Sequence, residues 1–174
     1  NDRYHATKVR RDNQAVVLHF AQGGNPVDVV PAIFHEFRNK SPVYWIPDGN
    51  GGWLETAPEA HGAYLKMANF ASGHKLRKTV QLLKHWKSCR ENSVTLSSID
   101  LELLLASHNV CVGIKSYATC LFDAFSLLQQ RECRGLQDPV GVAGVLYACQ
   151  TDSQWGKLMS AVNYAQAHAA SAIN

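Results

Sequence analysis

The apolar residues of this chain change their spacing at Thr56, and that change limits the fold more than any other feature. Before it, runs rich in β-branched and aromatic residues alternate with turn chemistry: Ala15-Val16-Val17-Leu18-His19-Phe20-Ala21, then Gln22-Gly23-Gly24-Asn25-Pro26, then Val27-Asp28-Val29-Val30. These runs predict a hairpin-like pair of strands. A third short strand is expected at Val43-Tyr44-Trp45-Ile46, stopped by Pro47 and by Asp48-Gly49-Asn50-Gly51-Gly52. After Thr56, apolar residues recur at helical spacing, as at Tyr64, Met67, Ala68 and Ala71, then Leu76, Val80, Leu83 and Trp86.

The spacing predicts helices over 57–72, 74–90, 97–107, 112–132 and 152–172. Thr56 is the expected N-cap of the first, with Pro58 and Glu59 in its opening turn and its end at Gly73. Thr151 or Asp152 opens the last. Gln137-Asp138-Pro139-Val140-Gly141 reads as a turn or loop, because a proline disfavours helix in the residue before it. The chain is therefore expected to be α+β, with residues 1–56 a strand unit and 57–174 a helical one.

Composition narrows the function classes. A chain that is 46% hydrophobic and 18% charged over 174 residues can bury a real core. A net charge of +3 is too small for a dedicated duplex-binding protein, so any nucleotide contact must come from local placement of basic residues. Cys89, Cys111, Cys120, Cys133 and Cys149 form no Cys-x-x-Cys pair and are odd in number, which predicts reduced, mostly buried thiols. No apolar run approaches the roughly 20 residues of a membrane span, and the opening Asn-Asp-Arg-Tyr-His is too polar for a signal peptide. The expectation is a cytoplasmic protein with no membrane partner. The strand-like run starts close to Asn1 with no leading element to pair it, which is the expected look of a piece of a longer protein.

Three features bear on chemistry. Asp28 sits among valines in a predicted strand, where an unpaired carboxylate is costly if buried. Alternation places Val27 and Val29 on one face and Asp28 on the other, so its carboxylate faces a cleft, an ion or an exposed sheet surface. In the basic helix His74 to Lys87, residues 77, 81 and 84 share one side, and Lys84 emerges beside the apolar stripe. That lysine reaches either a phosphate or bulk solvent. Finally, Ser97-Ser98-Ile99-Asp100-Leu101-Glu102 offers a hydroxyl that caps a helix or meets a phosphate.

Other chemistries find less support. The glycines of 49–52 lack the lysine and hydroxyl of a P-loop and read as a turn. The histidines and cysteines show no zinc-ligand spacing, and there is no Gly-x-Ser-x-Gly elbow.

Taken in order, Val27-Asp28-Val29-Val30-Pro31-Ala32, Tyr44 to Pro47, Gly52-Trp53, Thr56-Ala57-Pro58 with His61, Asn69, and Leu82-Leu83-Lys84-His85-Trp86-Lys87 resemble the bacterial nucleotidyltransferases related to cyclic GMP-AMP synthase and oligoadenylate synthase, the CD-NTases of the SMODS type. Asp138-Pro139, Trp155 and the alanine-rich tail resemble the end of that family's helical domain. The resemblance implies part of a palm-like sheet in residues 1–56 followed by a helical domain in 57–174, and use of NTPs with Mg²⁺ (or Mn²⁺) to make a cyclic di- or trinucleotide in antiviral signalling. It implies that Asp28 is a catalytic metal ligand and that Lys84 and Ser98, or Ser97 in its place, bind the donor triphosphate.

The family's Gly-Ser motif and Asp-x-Asp pair have no counterpart ahead of Asp28, where the only acids are Asp2 and Asp12. The resemblance thus implies a portion of the enzyme, inactive alone, whose partners are NTPs and the missing N-terminal part of the nucleotidyltransferase domain. No long nucleic acid is expected. The same metal and triphosphate chemistry serves synthases of linear oligonucleotides and RNA-tailing enzymes, and a third alternative is an inactive nucleotide-binding or interaction module.

Overall fold

The computed structural model describes residues 7–12, 14–20, 25–90, 94–133, 135–146, 149 and 151–173. Asp2 and the expected turn residues Gln22, Gly23 and Gly24 lie outside them. The chain forms two compact units, Asn1–Ala60 and His61–Asn174.

The first unit holds two antiparallel three-stranded sheets. One is β1 (Lys8–Asp12), β2 (Ala15–His19) and β3 (Val27–Val29), in that order. β2 and β3 are the expected hairpin pair, but β2 does have a leading partner. Lys8-Val-Arg-Arg-Asp12 pairs along its whole length with β2, from Lys8 opposite His19 to Asp12 opposite Ala15. A strand this charged is tolerable because β1 is an edge, where polar side chains reach water.

The second sheet is β4 (Ile33–Arg38), β5 (Ser41–Pro47) and β6 (Trp53–Thr56). Its centre, β5, contains the expected third strand and the fully buried Val43. The glycine-rich segment is the β5–β6 turn. Asp48 Oδ1 accepts from the N–H groups of Asn50 (2.7 Å) and Gly52 (2.8 Å), so the turn's donors are used internally. Gly49 and Gly51 have φ of 84° and 99°, which glycine adopts without strain. These N–H bonds, Asn50's first, hold the Asp48 carboxyl below its ordinary range.

The helices are α1 (Pro58–Ala71), α2 (Lys75–Ser88), α3 (Ser98–Ser107), α4 (Tyr117–Gln130) and α5 (Asp152–Ile173). Thr56 is the last residue of β6, not a cap; Pro58 starts α1 directly after buried Ala57. α4 starts later than expected, because Gly113 takes φ 96° and Ser116, whose side chain accepts from the Thr119 N–H, is the N-cap. Thr151 caps α5 through the Gln154 N–H at 3.2 Å.

The core of the second unit is built around α3. Leu101, Leu103, Leu104 and Leu105 are all buried, leaving no apolar stripe because the helix is covered on most sides. Leu76, Val80 and Leu83 of α2, Cys120, Ala124, Phe125 and Leu128 of α4, and Leu158 and Val162 of α5 complete the cluster. Cys111, Cys120 and Cys133 are buried free thiols, and burial pushes Cys133 up to about 12. No helix among the described residues is long and apolar enough to cross a membrane.

Candidate functional site

Residues near the end of α1 cap the start of α2. Ser72 Oγ accepts from the Leu76 N–H at 3.0 Å and Asn69 Oδ1 from the Arg77 N–H at 2.9 Å, which satisfies two first-turn donors that no helical carbonyl can reach. The capped helix runs beside α1 along a groove of about 460 Å³. Leu65, Leu76 and Val80 give it an apolar floor, and Lys66, Asn69, Arg77, Gln81, Lys84 and Glu102 give it polar walls. Arg77, Gln81 and Lys84 fall at i, i+4 and i+7 of α2, the shared side read from the sequence. Lys84 is partly exposed at the edge of this groove and has a partner there. Its Nζ donates to Glu102 Oε1 on α3.

α3 separates the roles of the two serines. Ser97 is the N-cap: its Oγ accepts from the Asp100 N–H at 3.1 Å. Burial raises the Asp100 carboxyl above its ordinary range, against a smaller opposing pull from hydrogen bonds with Ser97. Ser98 is exposed at the first helical position and lies one turn before Glu102 on the same side. Lys84 is thus drawn to the face of α3 that carries Ser98. Glu102, which sequence reasoning passed over, is the link; its spacing from Ser98 was the available signal.

Asp28 belongs to the first unit, in β3 opposite buried Val17, with Arg10 on the other side of Val17. Asp28 is exposed, and among the described residues its carboxylate has no ion-pair or hydrogen-bond partner. Val27 and Val29 are 46% and 47% exposed, because β3 is a three-residue edge strand. An exposed, unpartnered carboxylate fits Mg²⁺ as one hard oxygen ligand. A single carboxylate does not make a two-ion site.

One further cluster, His35, Glu36 and Glu55, brings three ligand atoms within 4.8 Å of one another. A cation already fills that role. Arg38 donates through Nε to Glu36 at 3.0 Å and through Nη1 and Nη2 to Glu55 at 3.0 and 3.1 Å. The Arg38 guanidinium accordingly holds the Glu55 carboxyl below its ordinary range.

In the second unit, Asp138 organises the loop joining the short strands β7 (Leu136–Gln137) and β8 (Val145–Leu146). Its carboxylate accepts from the N–H groups of Val140 (3.0 Å), Val142 (2.9 Å) and Ala143 (2.8 Å), and pairs with His61 Nε2 at 3.0 Å. The Asp138-Pro139 turn and His61, picked out separately in the sequence, are one buried structural unit.

Antiparallel strands leading into a mostly helical unit make this an α+β, nucleotidyltransferase-like fold. More narrowly, it is a CD-NTase-like fold. CdnC of Escherichia coli MS115-1, solved with ATP, is similar with a TM-score of 0.77 at 22% identity over 95% of this chain and 59% of that one. The Vibrio cholerae DncV cyclic AMP-GMP synthase with the linear intermediate 5′ pppA(3′,5′)pG gives 0.74 at 15% identity, over 97% and 48%. The Bradyrhizobium diazoefficiens CD-NTase CdnG in complex with GTP gives 0.76 at 13%, over 98% and 64%. The chain therefore spans about half to two thirds of the length of these proteins. No protein-family model matches the sequence, and no curated protein does.

Proposed function

We propose that this chain is the later-strand and helical portion of a nucleotidyltransferase that uses NTPs and Mg²⁺ (or Mn²⁺) to make a cyclic di- or trinucleotide for antiviral signalling in the bacterial cytoplasm. The observation that carries this reading is the α1–α2 groove, where Lys84 lies with Lys66 and Arg77 and is held to the Ser98 face of α3. Three cations in one groove suit a triphosphate, and lysine supplies charge without demanding a fixed fork geometry. The likeness to synthases solved with ATP, GTP and a linear intermediate supports the same reading.

In this reading Lys84 and Ser98 bind the donor triphosphate, Ser97 being occupied as the cap of α3. Asp28 is the metal ligand of the later strand and accepts the proton of the attacking hydroxyl. Bound Mg²⁺ supplies charge neutralisation at the attacking and leaving oxygens. The remaining carboxylates come from the preceding part of the parent enzyme. Exposed Phe34, Phe37, Trp53 and Leu54 in the first unit support a further layer packing there.

The test is to incubate the full-length protein with all four NTPs and Mg²⁺ and to identify products before and after phosphatase treatment. A phosphatase-resistant cyclic product is expected. A phosphatase-sensitive linear oligomer would favour the linear or RNA-tailing alternative, and NTP binding without any product would favour the inactive module.

A further inference from the structure

We infer that Glu102 is a positioning residue that holds Lys84 ready for the triphosphate, an inference that rests on the assignment of Lys84 to phosphate binding. Nζ of Lys84 donates to Glu102 Oε1, and both side chains line the same groove. They are 38% and 27% exposed, and an ion pair so open to solvent adds little to stability. Its consequence is orientational. A lysine stem has four rotatable bonds to order before its ammonium can meet a ligand, and an existing pair reduces the ordering that binding must still impose.

Glu102 is well placed for this task. Its neighbours Leu101, Leu103, Leu104 and Leu105 are packed in the core, which fixes the α3 backbone from which it projects. An ammonium has three donors, so one given to Glu102 leaves two for phosphate oxygens. Lys66 and Arg77 offset the added carboxylate, leaving three cations against one anion along the groove. Protein kinases use the same device, a helix glutamate that holds a phosphate-binding lysine.

A rival role has the opposite sign. If Glu102 merely competed with phosphate for Lys84, removing it would tighten binding. The full-length protein and its Glu102→Ala, Glu102→Gln, Lys84→Ala and double-alanine variants are titrated calorimetrically with MgATP and with inorganic tripolyphosphate, which reads the phosphate groove without a base. Glu102→Ala is expected to weaken both ligands about two- to five-fold, Glu102→Gln to retain most of the affinity through its amide oxygen, and the double variant to bind no more weakly than Lys84→Ala. Unchanged or tighter binding by Glu102→Ala, or the same loss in the Lys84→Ala background, overturns the inference. If Lys84→Ala alone leaves tripolyphosphate binding intact, the phosphate assignment of Lys84 falls first and takes this inference with it.

Discussion

Asp138 accepts three backbone N–H bonds and the His61 contact in a site where its side chain is fully shielded from water. Burial by itself pushes this carboxyl up, but the donors together outweigh it and hold it below the ordinary carboxylate range. A lowered folded-state value means that the ionised form contributes stability above the unfolded value of about 4, and that this is lost as pH falls through the folded value. Asp138→Ala is expected to cost about 3 kcal/mol in denaturant unfolding at neutral pH, because it strands buried donors. The stability difference from wild type should shrink as the pH is lowered below about 4. Ser97 and Ser98 should respond in opposite ways. Ser97→Ala is expected to cost about 1 kcal/mol of stability as a lost cap, and Ser98→Ala to leave stability nearly unchanged while weakening MgATP binding.

At the scale of elements, the α1–α2 junction and α3 determine whether the groove exists. Asn69→Ala and Ser72→Ala each remove a side-chain acceptor at the start of α2 and should lower the thermal midpoint, at about 1 kcal/mol apiece. Leu83→Ala, at a fully buried α2 position, should cost about 2–5 kcal/mol. α2 was legible in the sequence because one apolar stripe repeats at helical spacing through Leu76, Val80 and Leu83. Of the outer strands, β3 was legible as half of a hairpin, but β1, β4 and β6 were not. β1 is four-fifths polar, and β4 breaks its alternation with a bulge between Phe34 and Glu36. β6 hid behind Thr56, which has the look of a helix cap but ends a strand. Within the candidate site, Lys84 was visible from its place beside an apolar stripe, whereas its pairing with Glu102 spans 18 residues and no local pattern encodes it.

At the scale of the whole molecule, both units leave large apolar side chains open, Phe34, Phe37 and Trp53 in the first and Met67, Phe70 and Ile114 in the second, and among the described residues the Asp28 carboxylate of β3 has no partner. The likeness covers nearly all of this chain but about half to two thirds of its structural neighbours, and it supports the proposal of a portion of a larger transferase. In that account Asp28 is one ligand of a metal site completed elsewhere in the parent, and the central claim stands or falls with it. The most direct measurement is the rate of Mg²⁺-dependent nucleotide transfer from labelled NTPs by the full-length protein and its Asp28→Ala variant, with folding of both checked by thermal unfolding. The account predicts product from the wild type and loss of transfer to background in the variant, with the thermal midpoint retained. Transfer by Asp28→Ala at the wild-type rate would contradict it.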